Sequence, residues 1–218
     1  MEEVLAGLAA MVATMFSLDL MNDWRRRPRP HVAAYAAGIL MFAIATWATF
    51  IGLTWGWSGA TYRVFFLFGA VLNIPMLALG SMFLVVGRRA GHVMFLVVGA
   101  VAAIATTLTT TVPFANPLPP TGIPEHIFGS GFGPRLFAII GGAGGSTILI
   151  ALALVSVFRF WRLDRRLVVG NALIVAGTLA AAWGGTQLAL GDGSVFALSL
   201  LAAVTLIWAG YRTASGRR

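Results

Sequence analysis

The sequence has no lysine and no cysteine, and it is poor in acids. All 15 of its Lys-plus-Arg positions are Arg, against seven Asp and Glu in 218 residues. Without Cys there can be no disulfide, thiolate metal site or thiol catalysis. Without Lys there can be no covalent retinal, because a Schiff base needs a Lys amine. Charged residues make up 10% of the chain, where a soluble domain carries about 25%. No HExxH motif, carboxylate pair or Ser/His/Asp arrangement appears, so common hydrolase chemistry has no signature here.

What is present is apolar. Hydrophobic residues account for 59% of the chain, and the mean hydropathy is +0.88. Most of the surface must therefore face lipid. Seven spans of roughly 20 residues need ~140 residues, which leaves short loops and no room for a soluble domain.

Thirteen of the Arg fall in four places: 25–29, 88–89, 159–166 and 212–218. Every second gap between apolar stretches lacks such a cluster. Cytoplasmic loops keep basic residues and exported loops do not. This spacing predicts an all-α, seven-helix transmembrane domain over residues 1–218, N-terminus outside and C-terminus cytoplasmic, in the cell's inner membrane. The formal charge of +8 is then read as topology and contact with anionic lipid headgroups. Nucleic acid is not an expected partner.

The first predicted helix, Val4–Met21, follows Glu2 and Glu3, and its basic residues come after it. A signal peptide would place them before, so the segment reads as a retained anchor. The loop Asn22–Pro30 carries Trp24, four Arg, Pro28 and Pro30. The second helix, Val32–Trp55, ends in Trp55-Gly56-Trp57-Ser58-Gly59, an interfacial aromatic belt. The third runs Val64–Val86 and the fourth Val93–Val112. The loop Pro113–Pro134 then holds six of the chain's nine Pro and four Gly. That composition forbids a helix, and its unusual length favours a lid or other function. The fifth helix runs Arg135–Phe158, the sixth Leu167–Leu188 and the seventh Val195–Tyr211.

This order suggests 3+1+3, with halves at 1–90 and 135–218 joined by an inverting linker helix at 91–113. Trp24-Arg25 matches Trp161-Arg162 at an offset of 137. Trp47 matches Trp183, and Ser58 matches Ser194, both at 136. Parallel repeats about an axis along the membrane normal occur in transporters such as the SWEET-type sugar carriers. Those carriers have prolines in the first two helices of each bundle, and helices 1, 2, 5 and 6 here have none.

Intramembrane polar groups are costly in lipid and default to functional candidates. Asn73 lies near the middle of helix 3, two residues before Pro75. That Pro lacks an N–H and frees a carbonyl about one turn back. The pair reads either as a solute site or as a braced kink. Arg63 stands at the outer mouth of helix 3, apart from the Arg clusters, and could hold an anion or pair with Asp192 or Glu125. Asp19 is the one acid inside a predicted span. It is expected to snorkel towards the Arg at 25–27 or 88–89. Thr106, Thr107, Thr109, Thr110 and Thr111 crowd the outer half of helix 4. In lipid such hydroxyls usually bond their own backbone, and a water-facing vestibule joined by Gln187 and Asp192 is the sharper alternative. Gly141-xxx-Gly145 in helix 5 has the spacing of close helix packing. His31 and His92 share a depth, which keeps open a bis-His haem, although the reading expects no cofactor and no metal. His126 lies in the outer loop.

The stretch Trp57-Ser58-Gly59-Ala60-Thr61-Tyr62-Arg63 through Asn73-Ile74-Pro75 resembles an uncharacterised family of small bacterial seven-helix integral membrane proteins. So do Gly170-Asn171-Ala172-Leu173-Ile174-Val175-Ala176-Gly177-Thr178 and Gly184-Gly185-Thr186. The resemblance spans most of the chain and implies a fold without a chemistry. The resulting expectation is a non-enzymatic permease for a small solute or a lipid-linked one, its path running between two three-helix bundles. The site expected for it comprises Asn73, Arg63, Thr106, Thr110 and Gln187. The alternative is a non-transporting module, an accessory subunit or sensor, that engages a membrane-protein partner through the loop 113–134.

Overall fold

The structure, a computed structural model, describes residues 1–129, 133–160 and 164–215. Among them it is all-helical. Seven helices are long and apolar enough to cross a membrane: α1 (Glu2–Arg26), α2 (Pro30–Trp55), α3 (Gly59–Val85), α4 (Arg88–Thr111), α5 (Pro134–Arg159), α6 (Arg165–Ala189) and α7 (Gly193–Ala214). Trp161, Arg162 and Ser130 lie outside the described residues. The helices run past the apolar stretches at several ends. The extension of α1 to Arg26 brings Asp23 into the helix beside Asp19, so Asp19 is not the only acid inside a span.

Local chemistry sets the ends. Pro30 opens α2 at a first-turn position where its missing N–H costs nothing. The Ser58 hydroxyl accepts from Thr61 N at 3.1 Å and caps α3. Asp164 and Asp192 cap α6 and α7 by accepting from Arg166 N and Val195 N.

The helices pack in the order α1, α2, α3, α5, α6, α7, with α7 returning to α1; α4 lies outside this ring against α3 and α5. Burial follows from that. Only 17% of the apolar window of α4 is buried within the protein, against 61% for α3. Small residues set the closest approaches, as expected where lipid supplies no hydrophobic drive between helices. Gly170, Gly177 and Gly184 recur every seventh residue on α6 and lie against Gly210, Ala203 and Ser199 of α7.

The middle of the ring is apolar. A contiguous core runs through Phe16 and Leu20 of α1, Ile39 and Phe42 of α2, Phe65 and Leu77 of α3, Leu149 of α5, and Phe196, Leu200 and Val204 of α7. Phe65 and Phe196 meet edge to face across it, at 6.2 Å between centroids.

Candidate functional site

Two seams join the helices α1–α3 to the helices α5–α7. In each seam the two helices run in the same direction, and the two are built differently.

The α3–α5 seam is backbone on backbone. Phe65–Leu72 of α3 and Ile140–Gly144 of α5 are both π-helical, and they face each other. Asn73 N–H bonds back to the Phe68 carbonyl, five residues earlier. Pro75 therefore falls in the first turn of the α-helical segment that follows, where a missing donor is tolerated. Gly141 and Gly145 seat on this irregular stretch. A Cβ at Gly141 would collide with the Val71 carbonyl oxygen, and one at Gly145 would stand 3.0 Å from Pro75 N. The Gly-xxx-Gly spacing of α5 is thus used for close packing. Asn73 is buried, and its Oδ1 accepts from Ile74 N at 2.6 Å. Its carbonyl lies 3.1 Å from a Cβ built on Gly38 of α2.

The α1–α7 seam is lined by side chains. Ala6, Ala9, Ala10 and Ala13 of α1, which packs on both α2 and α7, are completely buried, and so is Ala197 of α7. Polar groups stand at its two ends. At the end remote from the loop 113–134, Trp208 Nε1 donates to Asp19 Oδ2 at 3.0 Å, and Tyr211 Oη donates to Asp23 Oδ2 at 2.7 Å. Phe16 stacks on Trp208 at 5.9 Å. Arg212 Nη1 is 3.9 Å from Asp19 Oδ2. The arginine beside Asp19 thus comes from α7, and the expected partners at 25–27 and 88–89 do not supply it. Tyr35 of α2 bonds Ser81 of α3 at 2.9 Å at the same end. At the loop end, Ser194 Oγ donates to Glu2 Oε1 at 3.0 Å.

Residues 113–129 of the loop lie over the bundle. Ile123, Ile127 and Phe128 are buried among bundle side chains. Phe128 touches Tyr62, Phe66 and Phe114 at 5.7, 4.9 and 5.4 Å. Trp57 Nε1 donates to the Gly122 carbonyl at 2.8 Å. Ala115 N and Asn116 N both donate to the Ile127 carbonyl. His126 adopts φ 50, and its carbonyl accepts from Asn116 Nδ2 at 2.8 Å.

The residues singled out in the sequence are dispersed over this frame. Arg63 donates Nη1 to the Thr109 carbonyl and Nη2 to the Val112 carbonyl, the latter at 2.9 Å. Its guanidinium lies 4.4 Å from the Phe114 ring centroid. It closes the C-terminus of α4 and is in no ion pair among the described residues; neither Asp192 nor Glu125 is its partner. Thr107, Thr110 and Thr111 are exposed and bond carbonyls of their own helix. Thr106 is half-buried, and Thr109 is the member of the group that faces inward. Gln187 is half-buried near the end of α6. His31 lies edge-on to Tyr35, while His92 bonds the Arg88 carbonyl and abuts Phe83.

Asp23, Tyr35, Ser81, Trp208 and Tyr211 were not anticipated. Asp23 sits two residues past the apolar run, and the others read as interfacial or core residues. An aromatic on α7 recurring near the depth of the α1 acids is the one sequence signal that could have raised them. No protein family, curated protein or solved structure matches this chain.

Proposed function

We propose that this is an integral membrane permease of the bacterial inner membrane, with a path for a small or lipid-linked solute between α1–α3 and α5–α7. The inequality of the two seams carries this reading. The α3–α5 seam brings main chain against main chain at two π-helical segments, a feature frequent at functional positions. It suits a fulcrum. The α1–α7 seam is held by a few side-chain contacts at its ends, which suits a parting line. The packing order also agrees with a 3+1+3 arrangement, because half a turn about the ring axis exchanges α1 with α5, α2 with α6 and α3 with α7. Alternating access by one repeat rocking against the other is usual in such folds. Residues 113–129 close the exported end, and the Asp19/Trp208 and Asp23/Tyr211 bonds close the cytoplasmic end.

A disulfide across the parting line tests this in a chain with no cysteine of its own. The variant carrying Glu2→Cys and Ser194→Cys is reconstituted in liposomes and screened for uptake of labelled amines, amino acids, sugars and organic acids, and for movement of labelled lipid between leaflets. Flux of one class is expected in the reduced variant, lost on oxidation and restored by reductant. No flux of any class, or flux indifferent to the disulfide, overturns the permease reading. The accessory-subunit reading would then stand on the loop 113–134, whose residues 113–129 present exposed Pro117 and Pro120 beside buried Ile127 and Phe128.

A further inference from the structure

Residues 113–129 fold back on themselves. Ala115 N and Asn116 N both donate to the Ile127 carbonyl, and Asn116 Nδ2 donates to the His126 carbonyl. A Cβ on Gly129 would stand 3.2 Å from that of Ala115, so the two ends of the segment lie side by side. A loop closed at its neck and packed by its own side chains holds its shape without help from a helix or strand.

Its directional attachments are one-sided. Trp57 Nε1 donates to the Gly122 carbonyl at 2.8 Å. Phe128 lies against Tyr62 and Phe66, and Phe114 lies against Tyr62 at 5.6 Å. The Arg63 guanidinium, fixed on the last carbonyls of α4, stands 4.4 and 5.6 Å from the Phe114 and Phe128 ring centroids. These partners all fall between Trp57 and Phe66, where α2 passes into α3. Towards the α6–α7 turn the segment faces an open cleft of about 410 Å³. Pro119, Thr121 and Glu125 line one side of it, and Glu2, Gly191 and Gly193 line the other. The approach of Glu125 Oε1 to a Cβ on Gly191, at 3.8 Å, is an ordinary contact. Glu2 and Ser194 bond at the loop end of the α1–α7 seam, so the cleft lies where that seam reaches the surface.

We propose that residues 113–129 are a fixed cap carried by α2–α4, and that the path opens beside the cap, at the cleft, when the α6–α7 turn moves away. This rests on the permease reading and states how its loop end opens. Lifting the cap would pull Phe128, 2% exposed, out of its aromatic neighbours into water, and burial of apolar surface opposes that. Widening the cleft breaks the exposed Ser194–Glu2 bond, whose two groups water can satisfy.

Two measurements on the full chain test this. Hydrogen exchange read by mass spectrometry in phosphatidylcholine nanodiscs follows the cap without any solute. Peptides covering residues 114–118 are expected to exchange at least about a hundredfold more slowly than unstructured chain. Trp57→Phe keeps a ring and removes the donor, and should speed that exchange about three- to tenfold. Glu125→Ala, on the cleft side, should leave it unchanged. Exchange at the unstructured rate, or an effect of Glu125→Ala as large as that of Trp57→Phe, overturns the cap. The second measurement is flux in liposomes for the variant carrying Ala115→Cys and Gly129→Cys, whose Cβ separation is close to the ~3.5–4.5 Å of a disulfide. Oxidation, which locks the neck of the loop, is expected to leave its flux equal to that of the reduced form. Flux lost on oxidation and restored by reductant shows that the loop must unfold to open, and overturns the proposal while the permease reading stands. Absence of flux in wild type overturns the permease reading and the entrance with it, and the exchange result still decides the cap.

Discussion

Tyr211 donates its hydroxyl to Asp23 Oδ2 at 2.7 Å, tying the last helix to the first across 188 positions of sequence. Asp23 is 8% exposed, so the bond reaches a carboxylate that water barely touches. A hydrogen bond to a charged group contributes about 1.5–3 kcal/mol. Tyr211→Phe keeps the ring that packs on Phe16 and removes only the donor. It is expected to lower the thermal denaturation midpoint in detergent by several degrees, and a midpoint equal to wild type would show that the bond contributes nothing.

Gly141 and Gly142 are neighbours with opposite expectations. A methyl at Gly141 meets the Val71 carbonyl, which is backbone and cannot swing aside, whereas one at Gly142 finds its nearest atom at 3.9 Å. Forced overpacking costs about 1–3 kcal/mol. In a helix, Ala exceeds Gly by about 0.5–1 kcal/mol. Gly141→Ala should therefore destabilise and Gly142→Ala should be neutral or stabilising, both read by thermal unfolding. Equal behaviour of the two would mean that the α3–α5 seam is not as tight as its geometry.

Arg63 holds two carbonyls at the end of α4 with two nitrogens of one planar fork. Arg63→Ala should cost roughly 1.5–3 kcal/mol, the range for hydrogen bonds to a charged group. Arg63→Lys should recover less than half of that, because an ammonium is a point charge and cannot span both oxygens. Limited proteolysis of the loop 113–134 should speed up in parallel, since Phe114 lies 4.4 Å under the same guanidinium. Full recovery with Lys would reduce the role of Arg63 to charge alone.

Orientation is open to a direct measurement. Thr121 and Ser215 are both exposed, at opposite ends of the bundle. In whole cells, a membrane-impermeant thiol reagent should label the Thr121→Cys variant and leave the Ser215→Cys variant unlabelled until the membrane is opened. The reverse pattern would invert the assignment of exported and cytoplasmic ends.

The candidate site was legible only in part. Gly141-xxx-Gly145 could be read as a packing motif because its meaning is local: two bare positions one turn apart allow close approach whatever lies opposite. Asp19 could be recognised as an acid near a helix end, and snorkelling reach was enough to expect an arginine. Which arginine depended on α7 returning to α1, and spacing along the chain contains no trace of that. The Thr group shows the same limit. Five hydroxyls on one helix could be counted, but whether they faced water, lipid or protein depended on α4 lying outside the ring.

Hydropathy and length, properties of each segment by itself, determined that the described residues form seven helices long and apolar enough to cross a membrane. Backbone polar groups in a bilayer must be satisfied by the protein itself, and a continuous apolar run of about 20 residues does this as a helix. What the segments do to one another was decided by tertiary structure. The unequal seams, the π-helical segments of α3 and α5 that face each other, and the bond from Tyr211 to Asp23 arise from contacts between residues far apart in the chain. In lipid those contacts depend on the fit of small side chains and a few polar bonds, because apolar surface gains little by leaving lipid for protein.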